Sequence, residues 1–224
     1  PHHQFPTTVM LSVARRIRLL ELARRYDFLV IEDDYDHEFH FSHHPMLPLA
    51  SMDTDGRVIH IGSLSKVLAP GLRLGYIAAP EAVINRCMNE IMLIDRQGNA
   101  LTELAVAELM RTGDIKRHVR RALKIYKERR DYAVQRVGEL IPSATFTIPA
   151  GGLALWLELD AHMDMQRLQC DALAQGVAIL PGQLFSGTGK IIPALRLGYA
   201  SLNQQELDRG LTALVAAIQQ QFPV

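Results

Sequence analysis

The stretch Ser63–Tyr76, SLSKVLAPGLRLGY, carries the reading of the fold. It follows the apolar run Arg57–Ile61, RVIHI, and leads into Arg73–Ala79, RLGYIAA. Both flanks read as strands: the turn sequence DTDG introduces the first, and Pro80 stops the second. Between them stands one lysine, Lys66, with hydroxyls at Ser63 and Ser65 before it and a guanidinium at Arg73 after it. A lone lysine is ordinarily a solvated surface group. This one sits at the end of a strand-like run among small and apolar residues, which favours a placed group.

Upstream, Phe28–Glu32, FLVIE, reads as another buried strand and ends in Asp33-Asp34-Tyr35. If the two runs are parallel neighbours, both polar clusters lie at the same edge of the sheet, where such folds carry their chemistry. Alternation along extended chain points Asp33 and Tyr35 the same way and turns Asp34 away. A calcium loop is excluded: counted from Asp34, the sixth position is Phe39, not glycine. His37, His40, His43 and His44 offer metal-ligating nitrogens, but neither a cysteine nor a clean i,i+4 helical pattern accompanies them. The segment ends at Pro45 and is expected to be a solvent-exposed loop.

Elsewhere the periodicity is helical. Thr8–Tyr26 places Val9, Val13, Ile17, Leu20 and Ala23 on one face, with Arg15, Arg16, Arg18, Arg24 and Arg25 mostly off it. Helices are expected over 81–96 and 100–112, then from an N-cap at Asp114 to about Leu140. Leu153–Asp160 reads as a strand, 164–175 as a helix, VAILPG and ALRLGYA as strands, and Asn203–Gln220 as a closing helix. This predicts an α/β protein with a mostly parallel sheet over 1–80, connecting helices over 81–140 and a smaller α/β domain over 141–224.

Bulk properties exclude several classes. The 224 residues are 48% hydrophobic and 21% charged, with a formal net charge of +0. No global field argues for nucleic acid or an anionic membrane, and no apolar run is long enough to span a bilayer. The opening PHHQFPTT does not read as a signal peptide, and none is expected. Cys87 and Cys170, isolated in helical patterns, suit a reducing cytoplasm. The most basic stretch, Lys116–Arg130, keeps Val119, Leu123 and Tyr126 at helical spacing and is interrupted by Glu128. That favours a solvated helix face; contact with DNA phosphates or an acidic partner is the alternative.

One ligand matches the edge as read: an aromatic aldehyde with a protonated ring nitrogen, a ring oxygen and a phosphate, which is pyridoxal 5'-phosphate. A lysine amine bonds the aldehyde once desolvation or nearby cations favour its neutral form. A carboxylate keeps the ring nitrogen protonated, a phenol binds the ring oxygen, and hydroxyls with a guanidinium hold the phosphate.

The same residues carry a family resemblance. IEDDYDHEFHF (Ile31–Phe41) followed by VIHIGSLSKVLAPGLRLGYIAAP (Val58–Pro80) resembles the fold-type-I aminotransferases. More narrowly, it is similar to the effector domains of MocR/GabR-type regulators, in which a winged helix-turn-helix domain of the GntR family precedes an aminotransferase-like domain. HHQFPTT resembles that subfamily's version of the aminotransferase NPTG segment. The resemblance implies a Schiff base on Lys66, Asp33 at the pyridine nitrogen and Tyr35 at the ring oxygen. It implies Ser63, Ser65 and Arg73 at the phosphate, and Arg196 at the α-carboxylate of an amino-acid ligand. For Arg196 the residues alone leave pairing with a nearby carboxylate open. Thr8 stands where the family has glycine, and Phe5 where aminotransferases have a ring-contacting asparagine. The expected protein is a C-terminal portion of such a chain, lacking the family's upstream phosphate loop. It would form a homodimer, sense an amino compound by Schiff-base exchange, and reach DNA only through an N-terminal domain. The alternatives are a true aminotransferase and a remnant without cofactor.

Overall fold

The structure, a computed structural model, describes residues 1–41 and 46–221, so His43 and His44 lie outside the described residues. The chain divides into two compact units: Pro1–Gln4 with Val9–Ala122, and Phe5–Thr8 with Leu123 onward.

The first unit is built on a three-stranded sheet in the order β1 (Val30–Asp34), β2 (Val58–Ser63), β3 (Gly75–Ala78). β1 and β2 are parallel, with Asp33 opposite Ile61 and Asp34 opposite Gly62. β3 is antiparallel to β2, with Ser63 opposite Gly75. The third strand therefore starts later than Arg73. Pro70–Leu72 form a 3-10 turn, and Arg73 takes the left-handed region at φ 49° before the strand begins. Because β3 runs back along β2, its entry lies at the edge where β1 and β2 end.

The Lys66 turn is held from beneath. Leu64 and Val67 are buried against Val106 of α3 (Ala100–Arg111), with Leu68, Leu72, Leu74, Ile115 and Val119 packed around them. The Leu68 amide donates to the Leu64 carbonyl at 2.9 Å, closing one helical turn. With positions 64 and 67 inward, Ser65 and Lys66 face out.

Helix α1 (Val13–Arg25) corrects the sequence reading. Of the expected apolar face Ala23 is buried, but Val9, Val13 and Ile17 are exposed, whereas Arg16 is fully buried. Its guanidinium donates to the carbonyls of Leu11, Leu47 and Pro1 at 3.0, 2.7 and 3.2 Å. Three carbonyl acceptors meet the requirement that a buried charge be hydrogen-bonded. α2 (Glu81–Ile94) follows β3. α4 (Asp114–Leu140) begins in the first unit and continues in the second, with Asp114 inside the helix instead of capping it.

The second unit pairs β4 (Ala154–Glu158) with β5 (Ala194–Gly198) in antiparallel register, Trp156 opposite Arg196. α5 (Met165–Ala174) packs against α6 (Gln204–Gln219). Leu155, Leu157, Leu168, Leu195, Leu211 and Leu214 are buried, each contributing roughly 1.5–3 kcal/mol of transfer free energy. α6 opens with a reciprocal capping box between Asn203 and Glu206. The expected VAILPG strand does not form; Pro181 makes one isolated bridge to Leu195 and leads into a 3-10 turn. No helix of the described residues is long and apolar enough to cross a membrane.

Candidate functional site

The edge of the first unit's sheet collects six of the predicted site residues. Asp33 lies one residue from the end of β1, and Tyr35 follows immediately. Ser63 ends β2, Ser65 and Lys66 lie in the turn beyond it, and Arg73 precedes β3. Opposed residues in a sheet share a face, so the register puts Asp33, Ile61 and Ile77 on one side, with Ile31 and Ser63 two positions along. That side is the less buried one: Ile31 and Ile77 are 68% and 41% exposed, and Asp33 is exposed. The result is an isoleucine floor bounded by a carboxylate and a hydroxyl.

The two cations at this edge are uncommitted. Among the described residues the Lys66 and Arg73 side chains form no ion pair or hydrogen bond, and both residues are exposed. Ser63 Oγ accepts from the Ser65 amide at 3.2 Å, leaving both hydroxyl hydrogens free to turn outward. Two cations and two hydroxyls around a shallow apolar floor fit a phosphate joined to a flat ring. The exposure of Lys66 departs from the expected desolvation.

Alternation puts Gly62 on the opposite side, where Tyr76, its register partner, crosses over it. A Cβ at Gly62 would lie 2.2 Å from Tyr76 Cζ, and one at Gly75 would lie 2.9 Å from the Gly62 carbonyl oxygen. The glycines let β2 and β3 close together directly behind the Lys66 turn.

The buried side holds a polar network that the sequence reading missed. Asp34 Oδ2 is 2.8 Å from His2 Nδ1, and His2 Nε2 lies 2.6 Å from the Met46 carbonyl oxygen. Glu32 accepts from the Leu49 and Ala50 amides at 2.5 and 3.0 Å and lies 3.1 Å from His60 Nδ1. Asp36 Oδ1 is 2.9 Å from His3 Nδ1. Burial pushes Asp34 up, but the His2 hydrogen bond and the charges of His2 and His37 more than offset it and hold Asp34 below its usual range. For Glu38 burial wins: it raises the carboxyl with help from Asp34 and Asp36, against His37. His2, Glu32 and Asp34 bring ligand atoms within 4.8 Å of one another, a possible cation cage. Those atoms already have protein partners, and the group reads as a satisfied structural network. The segment Asp34–His40 is accordingly no exposed loop: Asp36 and Phe39 are buried, and His37 and His40 are half-buried. A signal existed, since alternation puts Glu32 and Asp34 on one strand face and buried acids require partners; His2 supplies one for Asp34, and the Leu49 and Ala50 amides with His60 supply those of Glu32.

Arg196 belongs to the second unit. It is half-buried on β5, its Nε is buried without a partner, and no carboxylate pairs with it among the described residues. Its guanidinium lies 5.0 Å from the Phe5 ring centroid. Phe5 meets Phe185 edge-on at 5.2 Å, and Phe185 meets Trp156 at 6.0 Å. Among the described residues, the alternative of a carboxylate partner within the domain is thus not realised. A half-buried guanidinium without a counter-ion is a ready site for an external carboxylate.

Residues 6–214 match the family model of aminotransferase class I and II. The chain is 32% identical over 223 residues to aromatic-amino-acid aminotransferase 1 of Thermococcus litoralis, covering 99% of this chain and 54% of that protein. It is 32% identical over 219 residues to the HTH-type transcriptional regulator TauR of Rhodobacter capsulatus, covering 96% and 45% respectively. Among solved structures, α-aminoadipate aminotransferase LysN of Thermus thermophilus, complexed with N-(5'-phosphopyridoxyl)-L-leucine, superposes with a TM-score of 0.92 at 28% identity. That match covers 98% of this chain and 57% of LysN. The chain spans about half the length of the relatives it matches. A fold, a sheet edge and a family match extending over nearly the whole sequence agree: the chain belongs to the aminotransferase class I and II family.

Proposed function

We propose that this chain is the pyridoxal-phosphate-holding effector domain of an HTH-type transcriptional regulator, responding to a small amino compound. The observation that carries the reading is the parallel register of β1 and β2, which brings Asp33 and the Lys66 turn to one edge. Support comes also from the likeness to TauR over 96% of this chain and from the phosphopyridoxyl-leucine held by LysN.

Pyridoxal 5'-phosphate, when bound, supplies an aldehyde carbon that joins primary amines reversibly and a ring that accepts electron density. Lys66 Nζ is the protein amine for that carbon. Asp33, on the exposed face, holds a proton at the ring nitrogen, and Tyr35 donates to the ring oxygen. Ser63, Ser65 and Arg73 hold the phosphate, Arg73 as a fork of permanent charge. Arg196, steadied by Phe5, takes the carboxylate of the ligand. With the group bound, a ligand amine would compete with Lys66 Nζ for that carbon, and a displaced Lys66 would leave the turn with one covalent tie fewer. Such a change can bias an attached DNA-binding domain only through different contacts in the two states. The working assembly in this reading is a homodimer in the cytoplasm.

The likeness to the Thermococcus litoralis enzyme over 99% of this chain favours one further reading, transamination, in which Lys66 also moves the α-proton. Titration of the chain with pyridoxal 5'-phosphate tests both readings. The effector reading predicts a visible absorption band that moves on adding amino acids, without turnover to a keto acid. Sustained keto-acid production would favour the enzyme, and no band at all would refute both.

A further inference from the structure

Helix α4 changes character along its length. Past Lys127 its arginines are engaged: Arg129 with the Ala200 carbonyl, Arg130 with Asp131, and Arg136 with Asp208 and Glu139. Between Lys116 and Lys127 there are six cations, Lys116, Arg117, Arg120, Arg121, Lys124 and Lys127, and no acid. All six are exposed. Arg117 pairs with Asp114 at 2.6 Å; among the described residues the side chains of the other five form no ion pair or hydrogen bond, and Asp114 acts on Arg121 only through space.

At about 100° per residue, the six fall within an arc of about 140°. They make two rows, Lys116–Arg120–Lys127 and Arg117–Arg121–Lys124, over about 16 Å of axis at 1.5 Å per residue. Ile115, Val119, Ala122 and Tyr126 occupy the opposite arc and are buried or half-buried. All six lie on one uninterrupted helix, so that helix alone sets their spacing.

A merely solvated face does not account for this. Like charges at i,i+4 destabilise a helix, and Lys116–Arg120, Arg117–Arg121 and Arg120–Lys124 are all such pairs. Cations near a helix N-terminus oppose its dipole, yet Lys116 and Arg117 sit in the first turn. An arrangement that runs against two local rules in a chain of net charge +0 marks a functional surface. A polyanion reverses both costs. Duplex DNA, with one charge per about 1.7 Å of axis, matches a long, dense, two-row stripe better than the scattered carboxylates of a protein surface.

We propose that the Lys116–Lys127 face of α4 is a non-sequence-specific docking surface for the phosphate backbone of duplex DNA. The proposal rests on the regulator reading and adds to it: the effector domain itself contacts DNA flanking the operator.

The test is fluorescence anisotropy of a labelled random-sequence duplex with the 224-residue chain, from 50 to 200 mM KCl. Neutralising five phosphates predicts a slope of log K against log salt of about −4.5. Lys124→Gln and Lys127→Gln singly should each make it shallower by about one. Combining them with Lys116→Gln, Arg120→Gln and Arg121→Gln should abolish binding at 50 mM, with an unchanged circular-dichroism melt as the folding control. Lys190→Gln, outside the stripe, should leave the slope unaltered. Binding absent in the unaltered chain, or a slope indifferent to the α4 substitutions, overturns the proposal; so does equal displacement by poly-glutamate, which would assign the face to an acidic protein. Pyridoxal-phosphate absorbance recorded in the same samples separates the outcomes: a band without a salt slope refutes the stripe, and a slope without a band refutes the cofactor reading.

Discussion

Asp33 and Asp34 are adjacent on β1 and face opposite sides of the sheet: Asp33 is exposed above the isoleucine floor, and Asp34 is buried against His2. One residue of chain separates a carboxylate free to meet a ligand from one that holds the fold. Pairing Asp34 with Gly62 fixes which acid does which, because a shift of one residue would exchange them.

Asp34 makes the first unit acid-sensitive. Its carboxyl is held below the ordinary value, so its contribution is present above the unfolded carboxylate range near 3.9 and lost as pH falls through the folded value. Urea midpoints should decline steeply on the acid side. Asp34→Asn should flatten that decline, and His2→Ala should cost about 3 kcal/mol at neutral pH by leaving a buried carboxylate unpaired.

Gly62→Ala should destabilise by about 1–3 kcal/mol, since the new methyl meets the Tyr76 ring. A double-mutant cycle with Tyr76→Ala checks the cause. The double variant should lose clearly less than the two single losses combined, because removing the ring removes the clash.

Thr8 is buried with φ 61°, a conformation costly for a β-branched residue and easy for glycine. Thr8→Gly should therefore stabilise the chain by about 1 kcal/mol, measured as a higher urea midpoint with an unchanged m-value.

Phe5 steadies the Arg196 guanidinium through its ring face. Phe5→Leu keeps the bulk and removes the π face, and should weaken amino-acid binding by about 0.5–1 kcal/mol. A ligand amine without a carboxylate should show no such loss, which isothermal titration with both ligand types would reveal.

The parallel β1–β2 pair, the turn bearing Lys66 and the helices α1 to α6 were legible because short apolar runs and 3.6-residue periodicity are strong local signals. The buried face of helix α1 was harder. Its apolar stripe at Val13 and Ile17 reads as a core face, yet the buried position is Arg16, whose partners are carbonyls of Pro1, Leu11 and Leu47. No periodicity announces a guanidinium satisfied by backbone distant in sequence. The direction of β3 was equally hidden, because the reversal depends on the 3-10 turn and the left-handed Arg73. VAILPG has strand composition, but Pro181 and Gly182 interrupt it, and Gly182 closely approaches the Ile192 and Ala194 carbonyls. At the candidate site, residue types and spacing pointed to the edge, whereas the network behind it required knowing that His2 and His3 fold back onto Asp34 and Asp36.

The most direct test of Lys66 as the cofactor-bearing residue is borohydride reduction of the chain after incubation with pyridoxal 5'-phosphate, followed by peptide mass spectrometry. The account predicts one phosphopyridoxyl group, on the peptide containing Lys66, and none on that peptide in Lys66→Ala. Labelling spread over surface lysines such as Lys124 and Lys190, with Lys66 unmodified, would contradict it.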